Sequence, residues 1–238
     1  SRRRADAQRS VDATRRSLAV GAIAVLLATA GCAAAEVPEV PEVPAPATAV
    51  AAPDRVQAAF AQLERDFDAR LGVYALDTAT ERAIIFRADE RFAYASTFKA
   101  LAAAVVLDRT APAELDQVVS YRVDDLVAFS PITEQHAGSG MTLRELCDAA
   151  VRHSDNTAAN LLLRHLGGPA GLDAALAEIG DDVTRVERLE PELNQAVPGD
   201  ERDTSTPRAL ATDLRAYVLG GVLSADDRAL LTGWLRGN

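Results

Sequence analysis

Cysteine is scarce: Cys32 and Cys147 are the only two among 238 residues. They stand in very different contexts, and Cys147 sits in an apolar stretch of helical character. That excludes a disulfide framework and reads Cys147 as a small buried hydrophobe. Histidine is equally thin. His136, His153 and His165 form neither an HxH nor an HExxH pattern, so the spacing a zinc mechanism needs is missing. Positive charge is short as well, with 25 Lys and Arg against 35 Asp and Glu, a net charge of -10. A nucleic-acid partner needs clustered cations to replace phosphate counterions, and this balance argues against one. No repeat of domain size is visible. What the chain has in quantity is apolar residues, 48% of the total, enough for a sizeable core without metal, cofactor or disulfide.

The front of the chain reads as an export signal over residues 1–35. Arg2, Arg3, Arg4, Arg9, Arg15 and Arg16 make it basic, and Leu18 to Ala30 is an uncharged apolar run. The run is too short to span a bilayer but suits the apolar region of a signal peptide. Arg15-Arg16 is similar to a twin-arginine signal, or is simply part of a basic end. Two cleavage readings compete. Ala28-Thr29-Ala30 fits small-residue cleavage, whereas Ala30-Gly31-Cys32 resembles a lipobox that would place a lipid on Cys32 and tether the protein to a membrane. Residues 36–53 repeat a Val-Pro-Glu unit, with prolines at 38, 41, 44, 46 and 53. Proline fixes φ and removes amide donors, so this segment is expected to be a disordered, extended linker.

Folded structure is expected from Asp54, a good N-cap, after which Val56, Phe60, Leu63 and Phe67 recur at helical spacing. Leu71 to Asp77 and Arg82 to Arg87 read as two strands around a Thr78-Ala79-Thr80-Glu81 turn. The spacing therefore predicts a helix and two strands over 54–94. From 95 to 238 the chain reads as mainly helical. Within it Thr142 and Glu145 make a capping box, Gly167-Gly168 breaks a helix, Thr206-Pro207 starts another, and Ser224 caps a last one running to Trp234.

Three groups of residues could carry chemistry. Ser96-Thr97-Phe98-Lys99 places a hydroxyl and an amine three positions apart, on one face of a helix. Alone this reads as a cap followed by a solvated lysine. The following Ala100 to Leu107 is apolar nearly all round, which marks a buried helix. A lysine there is costly unless paired, and its pKa can move into a range that suits proton transfer. Ser154-Asp155-Asn156 lies between two helices, either as caps or as a corner presenting a hydroxyl and an amide. Arg188 to Asp203 lacks periodicity and reads as a compact loop, with Arg188 and Asp203 closing its neck and Glu190 and Asn194 able to share one water.

Together these motifs resemble the class A serine β-lactamase family, whose signature includes SxxK and SDN. Ser96-Thr97-Phe98-Lys99 matches the first and Ser154-Asp155-Asn156 the second, and Glu190-Pro191-Glu192-Leu193-Asn194 is similar to the family's omega-loop motif. Ser130 to Glu134 after Phe129, the Asp155 to Leu162 run and Asp200 to Thr204 extend the likeness from about Val56 to the end.

The resemblance implies a two-domain α/β fold of the β-lactamase/transpeptidase type, an antiparallel sheet with flanking helices, its first two strands within 54–94, beside an all-helical domain over 95–238. It implies hydrolysis of β-lactams through a serine acyl-enzyme, antibiotic resistance, a small-molecule lactam as partner, and an exported monomer. Ser96 would be the nucleophile. Lys99, or Glu190 through water, would take its proton, and Ser154 would relay one to the departing nitrogen. Asn156 would bind the substrate's amide, Phe129 would wall the cleft, and Glu190 with Asn194 would activate the hydrolytic water. Glu190 separates this reading from a penicillin-binding or sensor domain that is acylated without turnover. The family's Lys-Thr/Ser-Gly strand is expected after the Trp234 helix, and Asn238 comes first. On that reading the chain is C-terminally truncated, with the remaining sheet and closing helix absent. Loss of one oxyanion donor, at about 100- to 1000-fold in rate, would leave it feebly active.

Overall fold

The computed structural model describes residues 54–238. The export signal, both cleavage readings, Cys32 and the proline-rich linker lie outside the described residues. Helix α1, Asp54–Phe67, opens the fold. Asp54 is its first residue and not the cap ahead of it, and its carboxylate faces the partial positive charge of the first turn. The apolar stripe is only partly used. Phe60 lies 5.3 Å from Phe86, centroid to centroid, while Leu63 and Phe67 remain 44% and 75% exposed.

Strands β1, Val73–Asp77, and β2, Arg82–Phe86, form an antiparallel hairpin in the register Val73↔Phe86 to Asp77↔Arg82. Its turn is held by the Asp77 carboxylate, which accepts from the Ala79 amide at 2.9 Å and the Thr80 hydroxyl at 2.7 Å. The chain then runs through β3, Phe92–Ala93, and a 3-10 turn at Ala95–Thr97 into helix α2, Phe98–Arg109. Further on come β4, Val118–Val119, β5, Met141–Thr142, α3, Leu143–His153, α4, Asn156–His165, and α5, Pro169–Glu178. Strand β6, Thr204–Ser205, and helices α6, Pro207–Val218, and α7, Ala225–Arg236, complete the order.

The expectation of an all-helical 95–238 needs correcting. Strand β3 pairs with β6 and β4 with β5, both antiparallel. Two-residue strands carry no alternation to read, so periodicity misses them. The capping signals hold in detail. Thr142 and Glu145 form a reciprocal box, Thr206 accepts from the Ala209 amide, and Ser224 accepts from the Asp227 amide. Gly167 and Gly168 both take positive φ between α4 and α5, where a side chain would be strained.

Helix α2 is the centre of the core. Residues Leu101 to Leu107 are all buried, as are Phe98 and Lys99, and α3, α4, α5, α6 and α7 pack around them. Cys147 on α3 is free and fully buried, and burial pushes its thiol up, so it packs as an apolar side chain.

Candidate active site

The turn that carries Ser96 is tight. Ala95 adopts a left-handed φ of 45, and Thr97 donates through both its amide (3.0 Å) and its hydroxyl (2.6 Å) to the Tyr94 carbonyl. Ser96 is left exposed at the mouth of α2. Thr97, not Ser96, stands at the N-cap, and it makes no side-chain cap bond. The Ser96 hydroxyl is therefore not consumed in capping. It accepts from the Ser154 hydroxyl at 2.9 Å.

Lys99 lies one turn further in and is 1% exposed. Its ammonium donates to the Ser154 carbonyl at 2.8 Å, the Ser154 hydroxyl at 3.1 Å and the Asn156 Oδ1 at 2.6 Å. Glu190 Oε1 stands 3.2 Å away as its counter-ion, with both side chains almost wholly buried. Burial lowers the Lys99 pKa, and the charge and hydrogen bond of Glu190 oppose the shift without cancelling it. Such an amine can shed its proton more readily than a surface lysine.

Ser154 ends α3 in a left-handed conformation, φ 52 and ψ 33, uncommon for a residue with a side chain. That geometry sends both its hydroxyl and its carbonyl towards Lys99. Asp155 then caps α4 through the Ala158 amide at 2.8 Å. The same carboxylate, fully buried, accepts from the Ile132 and Thr133 amides at 3.0 and 2.9 Å and from the Thr133 hydroxyl at 2.8 Å. It pins the segment after Phe129 against the Ser154 corner. Asn156 uses both ends of its amide, one on Lys99 and the other donating to the Ala128 carbonyl at 2.8 Å. Phe129, at φ 62 and 66% exposed, projects beside this corner, and its carbonyl accepts from the Asn156 amide at 3.0 Å.

Glu190 arrives from the loop between α5 and β6. Asn160 on α4 brackets its backbone, accepting from the Glu190 amide at 2.8 Å and donating to its carbonyl at 2.9 Å. Oε2 accepts from Asn194 Nδ2 at 2.5 Å. Oε1 is buried with no well-angled donor, so beyond its contact with Lys99 it retains a free lone pair. The neck of the loop is closed by Arg188 and the fully buried Asp203, whose side chains are in direct hydrogen-bonded contact. Asp203 Oδ1 also accepts from the Glu187 and Arg188 amides at 2.9 and 3.0 Å.

The structure thus brings Ser96, Lys99, Ser154, Asn156, Glu190 and Asn194 into one connected network, with Phe129 at its edge and Arg188–Asp203 at the base of the loop. Sequence reasoning missed Asp155, Asn160 and Tyr94 as supports. Asn160 had a readable signal, being a polar residue four positions after Asn156 in the otherwise apolar run Ala158 to Leu163. Chemically, the network offers an exposed hydroxyl joined by one further hydroxyl to a buried amine. A buried carboxylate lies on the amine's far side. That is the equipment of nucleophilic catalysis with proton transfer.

A model of the beta-lactamase enzyme family matches residues 55–238. The chain is 66% identical over 195 residues to a β-lactamase of Amycolatopsis lactamdurans, covering 82% of this chain and 65% of that one. It is 47% identical over 225 residues to β-lactamase ROB-1 of Haemophilus influenzae, covering 93% and 73%. The crystal structure of a class A β-lactamase from Clostridium kluyveri DSM 555 matches with a TM-score of 0.75 at 52% identity, over 76% of this chain and 70% of that one. The chain spans 65% of the Amycolatopsis protein and 58% of a Bacillus subtilis (strain 168) relative. The helical body and small antiparallel sheets fit the two-domain fold of these neighbours. On fold, site and kinship together, the chain belongs to the class A serine β-lactamase family.

Proposed function

We propose that this protein hydrolyses β-lactams through an acyl-enzyme on Ser96 and so confers resistance to them. The observation that carries the reading is the single network linking the Ser96 hydroxyl, through Ser154, to the buried Lys99–Glu190 pair. The Ser96 Oγ attacks the lactam carbonyl, and its proton passes to Lys99, once the ammonium has given one of its own to Glu190, or, through water, to Glu190 directly. Ser154 hands a proton to the lactam nitrogen as the C–N bond breaks and is recharged with the proton taken from Ser96, passed on through Lys99. Glu190, steadied by Asn194, then takes a proton from the water that attacks the ester, and Ser96 leaves with its proton restored. Asn156 contributes an amide to the substrate and Phe129 a wall. The basic front and the Leu18 to Ala30 run support export, and Ala30-Gly31-Cys32 followed by the proline-rich segment supports a lipid tether at Cys32. The folded part works as a monomer.

Intact-mass analysis of the chain mixed with a chromogenic cephalosporin tests this. The expected outcome is an adduct on Ser96 that decays with release of opened lactam, and that Glu190→Gln traps. An adduct that never decays in the unsubstituted chain would make it a penicillin-binding or sensor domain. Hydrolysis surviving Ser96→Ala would remove the serine from the mechanism.

A further inference from the structure

Tyr94 touches both halves of the site at once. Its carbonyl closes the turn that presents Ser96, accepting from the Thr97 amide and hydroxyl. Its own hydroxyl donates to Asp203 Oδ1 at 3.1 Å, and its amide donates to the Asp203 carbonyl at 3.4 Å. Asp203 is the neck of the loop that carries Glu190. The oxygen that Tyr94 reaches is the one gathering the Glu187 and Arg188 amides, so the hydroxyl completes the set of donors that fixes where the loop leaves the body. The next residues extend the same link, with Phe92 and Ala93 paired to Ser205 and Thr204.

The ring is 3% exposed and stacks at a tilt on Phe98, centroids 5.7 Å apart. A phenylalanine would fill that space equally well. A buried hydroxyl is costly without a partner, and this one spends its single donor on the loop neck. We infer that Tyr94 is a positioning residue, which holds the carboxylate of Glu190 in register with the hydroxyl of Ser96 by tying the loop neck to the nucleophile's turn. The inference rests on the acyl-enzyme reading above. It assigns Tyr94 to the second half of that reaction, where Glu190 activates water, more than to the first.

Tyr94→Phe in the full 238-residue chain tests it. The ring's volume is kept and Asp203 Oδ1 retains two amide donors, so the variant folds. Acylation of Ser96, read from the burst, is expected to stay within about twofold of the parent, while the adduct lives about fivefold longer, the scale of one net hydrogen bond. Without any lactam, amide hydrogen exchange at Glu187 and Arg188 is expected to quicken. A melting temperature that falls while both rates change in equal proportion would make the hydroxyl merely structural and overturn the inference. Unchanged exchange at the neck would overturn it too. If the unsubstituted chain forms no Ser96 adduct, the acyl-enzyme reading fails on its own account, and the exchange measurement still decides whether the tether exists.

Discussion

Lys99 is a charge placed where charge is expensive, and its neighbours explain why it stays. Three oxygens accept from its ammonium and one carboxylate balances it. Lys99→Met keeps the side chain's length but leaves the Glu190 carboxylate buried without its cation. Losing one partner of such a pair costs about 3–5 kcal/mol, a fall of roughly 10 °C in melting temperature for a domain of this size. Adding Glu190→Gln removes the stranded charge and is expected to recover most of the loss; a double variant no more stable than Lys99→Met would show that the pair is not coupled. A second buried acid behaves differently. Asp213 on α6 and Asp181 after α5 are both buried, and each has an oxygen without a donor. Asp181 Oδ1 accepts from the Val183 and Thr184 amides at 2.8 and 3.0 Å. Burial, then the hydrogen bond and charge of Asp181, pushes the Asp213 carboxyl up to about 8. Burial acts on Asp181 too, but its hydrogen bonds outweigh it and hold it low. The two therefore share one proton on Asp213 at neutral pH. From about pH 4 to about pH 8 the fold keeps a proton that the unfolded chain releases, so stability falls as pH rises through that window and the loss is complete above it. Asp213→Asn donates without titrating. It is expected to melt about 5 °C above the parent near pH 9, with the gap closing towards about pH 4. Melting curves whose separation ignores pH would sink the shared proton.

Helix α4 organises the site as an element. Asn156 and Asn160 are four apart and share a face, the first holding Lys99 and the second clasping the backbone of Glu190. One helix thus sets the spacing between the amine and the carboxylate. Asn160→Ala would leave a buried amide and a buried carbonyl of Glu190 unpaired, each worth about 1–3 kcal/mol. The expected result is a lower urea midpoint together with a longer-lived Ser96 adduct; a variant unchanged in both would show that α4 does not carry the loop. The same contrast explains what could be read beforehand. Contacts closed within a turn leave a spacing in the sequence, as Thr142 with Glu145, Thr206 with Ala209 and Ser224 with Asp227 all do. Contacts whose partner is a distant backbone atom leave none. Asp155 on the Ile132 and Thr133 amides, Lys99 on the Ser154 carbonyl, and the Tyr94 amide on the Asp203 carbonyl are of that kind. Glu190 sits in an aperiodic loop, where its spacing from Asn194 suggests a shared water and only the family likeness implies a base. The left-handed turn at Ser154, which aims its hydroxyl, has no composition to announce it, because such turns usually take glycine or asparagine.

Across the whole described molecule, burial is shared unevenly. Helix α2 buries nine residues, whereas α1 buries none and the hairpin only Ala83. What fastens the hairpin and α1 to the rest is mostly surface chemistry. Arg208 lies over the Tyr74 ring at 4.7 Å and pairs with Asp89 at 2.7 Å, and Arg215 pairs with Glu81 at 2.8 Å. Exposed pairs of this sort contribute about 0–1 kcal/mol each, and an isolated two-stranded hairpin is marginal. Residues 54–87 should therefore form the least stable cooperative unit, opening while the helices around α2 stay closed. Ser96, Lys99, Ser154 and Glu190 all lie outside residues 54–87, so this opening leaves the site intact. Native-state hydrogen exchange along a urea series is the measurement. Amides of Tyr74, Ala75 and Leu76 are expected to exchange at free energies several kcal/mol below those of Ala103 to Val106, about half the stability of an ordinary domain, with a shallower urea dependence that marks sub-global opening. Hairpin amides that instead share the α2 free energy and its urea slope would show one cooperative unit, and would mean that the few side chains tying α6 to the hairpin outweigh the buried area the hairpin lacks.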